Sequence, residues 1–178
     1  QQIPFQFSLH VQKSAGGNTE HYSYLADGKA DPRQELLRLL KKHLGAKGSI
    51  VAYNASFEKD KLNRACEAYP EFANWNEDIQ KRIVDLLDPF RAFHYYHYDQ
   101  KGSASIKSVL PVLTGTGYEG MAISEGDMAS REFLRVTFGE NVAEDERKAV
   151  RKNLEDYCSL DTMAMVEIVE KLKEMVER

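Results

Sequence analysis

Apolar and polar residues alternate near the start of the chain: Phe5, Phe7, Leu9 and Val11 are separated by Gln6, Ser8, His10 and Gln12. A period of two predicts a strand with one buried face. Residues 13–20, with Gly16, Gly17 and Asn18, carry turn chemistry, so HYSYLAD after them is predicted to return antiparallel. The period then lengthens. Leu36, Leu37, Leu40 and Leu44 form the stripe of an amphipathic helix, with Asp31 as N-cap, Pro32 at the first helical position, and Gly45 and Gly48 at its end. Residues 49–53 are a short apolar run suited to an interior strand. Ser56 is the expected cap of the next helix, which carries Phe57, Leu62, Ala65, Cys66 and Tyr69 and stops near Pro70. RIVDLL (82–87) reads as a second interior strand. Ile106, Val109, Leu110 and Leu113 mark a short helix led by Ser103 or Ser105 and kinked or shortened at Pro111. Residues 114–126 form a glycine-rich loop, 128–138 a helix ended by Gly139, and everything from about 144 onward one long helix.

An antiparallel pair followed by strand–helix–strand units predicts an α/β fold, a mixed sheet flanked by helices, in a single domain over 1–178. A length of 178 residues suits one such domain. The formal net charge of -4 excludes a chain built as a whole to hold a polyanion. Nucleic-acid binding would need a local basic patch or bridging metal ions. No run reaches the length of a membrane span and no signal-peptide pattern opens the chain, so no membrane role is expected. Cys66 and Cys158 read as buried thiols in a reducing, cytoplasmic setting. The chain enters its first strand at once and without a Met, as expected of the middle of a longer polypeptide.

Two spacings point to chemistry. Tyr157 and Asp161 lie four apart in the long C-terminal helix, so their side chains share a face. Such a carboxylate can ligate a divalent metal while the phenol steadies an attacking water; the bland alternative is a packed tyrosine and a solvated charge. In YNASFEKDKL an interior strand delivers Asn54, and Glu58 sits in the first helical turn, where the helix dipole favours an acid. That position is also where ligands meet α/β sheets. Ordinary capping would place the same residues there. The aromatic run FHYYHY (93–98) reads either as a base-stacking platform, with Tyr96 and phosphate contacts from Arg91, Lys101 and Lys107, or as a flap over core. The flap is preferred, because alternating aromatics also suit strands. His94 and His97 lack a third ligand nearby for a transition metal. Lys41, Lys42 and Lys47, and the charged stretch 144–156, read as solvated helix surfaces.

In order, the strand before N-x-x-F-E, the I-V-D-L strand, the S-I-K-x-V-L helix and the final Y-x-x-x-D helix resemble the proofreading-type 3′–5′ exonuclease superfamily, whose four acids sit on a ribonuclease-H-like fold. The tyrosine spacing is similar to its tyrosine-containing branch. QQIPFQFSLH, YNASFEK, RIVDLLDPF, KGSASIK and YCSLDTMAM resemble more closely an uncharacterised bacterial domain family placed in that fold. The resemblance implies metal-dependent hydrolysis of DNA or RNA at single-stranded ends, with two Mg²⁺ or Mn²⁺ ions held by hard oxygen ligands. It implies Asp161 as a metal ligand and Tyr157 as the residue orienting water. Glu58 stands where aspartate is usual, and its longer side chain would reach the metal through water. Asn54, Phe57, Lys107 and Tyr96 are the substrate-contact candidates, and Asp85 is expected in a structural role. The superfamily's first motif, Asp-x-Glu on the central strand, has no counterpart before Phe5 and is expected upstream in the full protein. The two-ion site is expected only with that motif present. A missing central strand would leave a slot filled by rearrangement, by a separate segment, or by another copy of the chain through self-association. The other function class is a non-catalytic binding or scaffold module that keeps the fold without the chemistry.

Overall fold

A computed structural model describes residues 2–14 and 16–177. The predicted hairpin is present. β1 (Gln6–Gln12) and β2 (Thr19–Leu25) pair antiparallel, from Gln6 opposite Leu25 to Gln12 opposite Thr19. The interior strands β3 (Ile50–Ala52) and β4 (Ile83–Asp85) pair in parallel, Ile50 opposite Ile83 and Ala52 opposite Asp85. Parallel neighbours need a long crossover. It is supplied by α2 (Ala55–Ala68), a 3-10 turn (Pro70–Phe72) and α3 (Ala73–Arg82).

The two pairs do not join. Among the described residues the chain forms two sheets of two strands each, a mixed α/β arrangement in place of the expected single mixed sheet. A helix covers one face of the antiparallel pair. α7 (Glu144–Val176), 33 residues long, runs along β1. Gln6 Nε2 donates to the Leu154 carbonyl at 2.8 Å, and Gln12 Nε2 to Glu170 Oε1 at 3.1 Å. Thr162 Oγ1 lies 2.7 Å from Ser8 Oγ and 2.8 Å from His10 Nδ1. The polar positions of β1 are therefore taken up by helix α7, while Phe7 stacks toward Tyr24. Farther along α7, Ala164 and Ile168 enter a second core with Leu86, Phe90, Val109 and Leu110, flanked by Val51 and Tyr53. One helix thus bonds to the antiparallel pair and packs beside the parallel one.

The remaining helices are α1 (Arg33–Leu44), α4 (Asp88–Arg91), α5 (Ile106–Thr114) and α6 (Gly126–Phe138). Several boundaries differ from expectation for identifiable reasons. Pro32 precedes α1, and Asp31 Oδ1 accepts from the Arg33 amide at 3.0 Å. α2 begins before Ser56, whose hydroxyl donates to Asn54 Oδ1 and caps nothing. α5 continues past Pro111 to Thr114. α3 was not expected, because its sequence is mostly polar; it buries only Asn76 and Ile79. Among the described residues no helix is long and apolar enough to cross a membrane.

Arg82, at the end of α3, ties this half together. Its guanidinium donates to the carbonyls of Leu44, Gly45, Lys47 and Gly48 at 2.7 to 3.0 Å. These oxygens follow α1 through a loop whose glycines 45 and 48 have φ of 58° and 92°, and the helix end leaves them without intrahelical donors. Arg82→Ala should lower unfolding free energy by about 1–3 kcal/mol in urea titration, since several charge-assisted bonds go together. Arg82→Lys should recover only part, lacking the planar fork. An unchanged midpoint for Arg82→Ala would remove this role.

Candidate functional site

The turn from β3 into α2 allows two residues, Tyr53 and Asn54, between Ala52 and Ala55. Asn54 takes the left-handed conformation, φ 66° and ψ 56°, which asparagine tolerates better than most residues. Its backbone N–H donates to Asp85 Oδ1 at 2.9 Å, and the Leu87 backbone N–H donates to the same oxygen at 3.0 Å. Asp85 therefore knits together the ends of β3 and β4, the structural role expected of it. The turn sends Glu58 inward. Glu58 Oε2 is buried without a hydrogen-bond partner. Burial first, and then the charges of Asp85 and Asp161, push its carboxyl up to about 7, opposed by its own backbone amide.

Asp161 reaches the same neighbourhood from α7, since its charge is felt at Glu58. Tyr118 donates its hydroxyl to Asp161 Oδ1 at 2.6 Å. Tyr157, one turn earlier, has its hydroxyl close enough to stabilise the ionised carboxylate, without a hydrogen bond of normal geometry among the described contacts. The two phenol rings lie 6.3 Å apart. Burial raises Asp161; Tyr118, Tyr157 and Lys107 partly oppose that rise. Burial and then the Asp161 charge push both phenols well above the ordinary tyrosine range, so they act as proton-bearing donors. Between the two acids, Asp161 is the more solvated by donors and Glu58 carries the penalty of the like charge.

The family model for the domain of unknown function DUF2779 matches residues 1–105, more than half of the 178 residues. The chain belongs to this family. The DUF2779 chain is 27% identical over 146 residues to uncharacterized protein MG366 of Mycoplasma genitalium, covering 73% of this chain and 21% of that protein. It is 28% identical over 141 residues to the MG366 homolog of Mycoplasma pneumoniae, covering 72% and 21%. The chain thus spans about a fifth of the length of these relatives. No solved structure matches it.

The residues matched by the DUF2779 model include Asn54, Phe57, Glu58 and Tyr96. Tyr157, Asp161, Tyr118 and Lys107 follow them. Of the sequence candidates, Glu58, Asp161, Tyr157 and Lys107 gather in one electrostatic neighbourhood. Phe57 is 54% exposed at the start of α2, with Lys61 Nζ 4.7 Å from its ring centroid. Tyr96 stands in the exposed aromatic segment, where its hydroxyl accepts from the Gly102 amide. Tyr118 was missed. It comes from the glycine-rich stretch read as loop, and the only signal was an aromatic residue isolated between Gly117 and Glu119. Cys66 and Cys158 are both free thiols, and burial raises them to about 11 and about 12.

A hard divalent cation fits this chemistry in part. The donors are carboxylate oxygens, one of them orphaned and buried, as Mg²⁺ or Mn²⁺ prefers. Among the described residues, however, no three His, Cys, Asp or Glu side chains converge as an ion cage. Glu58 and Asp161 can therefore be members of a ligand set that other groups complete.

Proposed function

We propose that this DUF2779 domain is part of a metal-dependent nuclease that hydrolyses phosphodiester bonds of DNA or RNA, on a ribonuclease-H-like plan. The observation that carries this reading is the Glu58 carboxyl: one of its oxygens, Oε2, is buried without a partner, and the group is raised to about 7 by burial and by the charges of Asp85 and of Asp161, more than a hundred residues away. A buried carboxylate oxygen is expected to have a donor. One left without it beside a second acid suits a site that gains a cation. Mg²⁺ or Mn²⁺ bound there would activate water and offset charge on the phosphodiester. Tyr118 holds one oxygen of Asp161 and leaves the other for coordination. Tyr157 keeps its proton and can orient a water. Asn54 and the exposed Phe57 precede Glu58 in the chain and would meet the substrate, and Lys107 supplies a positive charge beside Asp161. Further ligands would come from the phosphate, from water, or from an upstream Asp-x-Glu in a longer polypeptide.

The test uses the full-length protein with labelled single-stranded DNA and RNA, in Mg²⁺, in Mn²⁺ and in EDTA. Shortening of the strands with either ion and none in EDTA is expected. Intact strands under all conditions would leave the second reading, a non-catalytic module, which the lack of a three-ligand cluster among the described residues favours.

A further inference from the structure

The aromatic segment after β4 is not the flap that its sequence suggests. Tyr95 does pack, edge-on against Phe90 in the second core. Its neighbours do not: Phe93 is 67%, Tyr96 46% and Tyr98 75% exposed. Phe93 and Tyr96 rings lie 5.7 Å apart, and the Tyr98 ring lies 4.4 Å from His97. The backbone adds an independent sign. After α4, the Phe93 amide donates to the Phe90 carbonyl and the His94 amide to the Pro89 carbonyl, which closes the helix end with Phe93 at φ 56°. That position calls for glycine, and a side chain there is strained against the following carbonyl. A phenylalanine that is both strained and two-thirds exposed adds little to the core.

Beside this segment, the 3-10 turn at Tyr98–Gln100 and the first turns of α5 enclose an open cleft of about 480 Å³. Lys101, Ser103, Lys107 and Ser108 line it, together with Asp99. Asp99 is held 3.6 Å from His97 Nδ1. Tyr96 is tied to the cleft's rim through the Gly102 amide. Lys101 is itself left-handed, φ 51°. Lys107 belongs to both places, since its Nζ lies 5.9 Å from the centre of the Tyr118 ring and its charge is felt at Asp161. Of the non-glycine residues with positive φ among the described ones, Lys101 lines this cleft, Phe93 lies in the aromatic segment and Asn54 leads into the helix that carries Glu58; stored strain of this kind clusters at functional sites.

We infer that the cleft and the exposed Phe93, Tyr96 and Tyr98 form a binding track for an unpaired nucleic-acid strand, running away from the Glu58–Asp161 site. Bases stack on the aromatic faces, and Lys101 and Lys107 with the two serines meet the phosphates. Duplex bases are already stacked on each other, so the track selects single strands. The site rests on the nucleic-acid reading above but makes no use of metal or of hydrolysis.

Fluorescence anisotropy of the 178-residue chain in EDTA and low salt tests it, with labelled dT12, rU12 and a 12-base-pair DNA duplex as probes. Both single strands are expected to bind about tenfold more tightly than the duplex. Tyr98→Ala and the double change Lys101→Ala, Lys107→Ala should each weaken dT12 about tenfold. Phe93→Gly gives the sharper result: it relieves the backbone, so the melting temperature should hold or rise while binding falls. No binding of dT12, or equal binding by parent, Tyr98→Ala and Phe93→Gly, would overturn the track. Either outcome leaves the cleavage assay to decide the nuclease reading separately.

Discussion

Asp161→Asn is expected to lower metal-dependent strand cleavage by the full-length protein by roughly a hundredfold or more, since one coordinating charge is worth several kcal/mol at the barrier. Asparagine preserves the shape of the side chain and can still accept from Tyr118, which donates to Oδ1 at 2.6 Å. Only the charge is lost. The fold should therefore survive, and the melting temperature should rise slightly, because burial already disfavours the ionised form. Tyr118→Phe removes the donor and leaves the charge, so a smaller loss, about tenfold, is expected. Cleavage rates with saturating Mn²⁺ measure both. Undiminished cleavage by Asp161→Asn would take this carboxylate out of the mechanism.

Glu58→Gln should change how stability depends on pH. The carboxyl is raised from an ordinary 4.5 to about 7 in the folded chain. Below the ordinary value both states are protonated and Glu58 contributes nothing. As pH rises from there toward 7, the unfolded chain releases this proton while the folded chain keeps it, so the unfolded state binds fewer protons and stability falls. Above 7 the penalty is constant. Asp161, also raised by burial, acts in the same direction. Asp31 acts oppositely and lower: lowered to about 2 chiefly by its bond to Arg33, it adds stability that is lost as pH falls toward 2. Metal-free thermal melts from pH 4.5 to 8 should show the parent losing ground to Glu58→Gln by a few degrees, on the order of 1 kcal/mol. Mn²⁺ at pH 8 should raise the melting temperature of the parent and not of the variant. Parallel curves at every pH would show that Glu58 is solvated and not part of a charged site.

The periodic parts of the chain were readable because burial follows geometry. Alternation at Phe5–Val11 marked β1, and the leucines at 36, 37, 40 and 44 marked α1, since each pattern fits only one kind of surface. α3 was not readable: a helix that buries little beyond Ile79 shows no stripe. The sheet was misread for a different reason. Pattern reports which face of a strand is apolar, and says nothing of what its edge pairs with or of what covers its polar face; that face of β1 meets α7 through glutamine, serine and histidine side chains that looked solvent-bound. At the acid site, i,i+4 spacing joined Tyr157 to Asp161, and a strand-to-helix turn announced Glu58. Tyr118 comes from a loop, where no period predicts direction. The aromatic run was legible as aromatic, but whether Phe93 faces core or water depends on a backbone angle that only the fold decides.

Asp161 and Thr162 are neighbours on α7, about 100° apart around its axis, and they look in different directions: one toward the tyrosines, the other toward Ser8 and His10 on β1. The hairpin therefore grips the long rod one residue away from the acid. In a rod of roughly 50 Å, clamped at that point, rotation or sliding cannot alter the grip without carrying the carboxylate along. Whatever touches the hairpin's far side has a mechanical lever on the acid's aim.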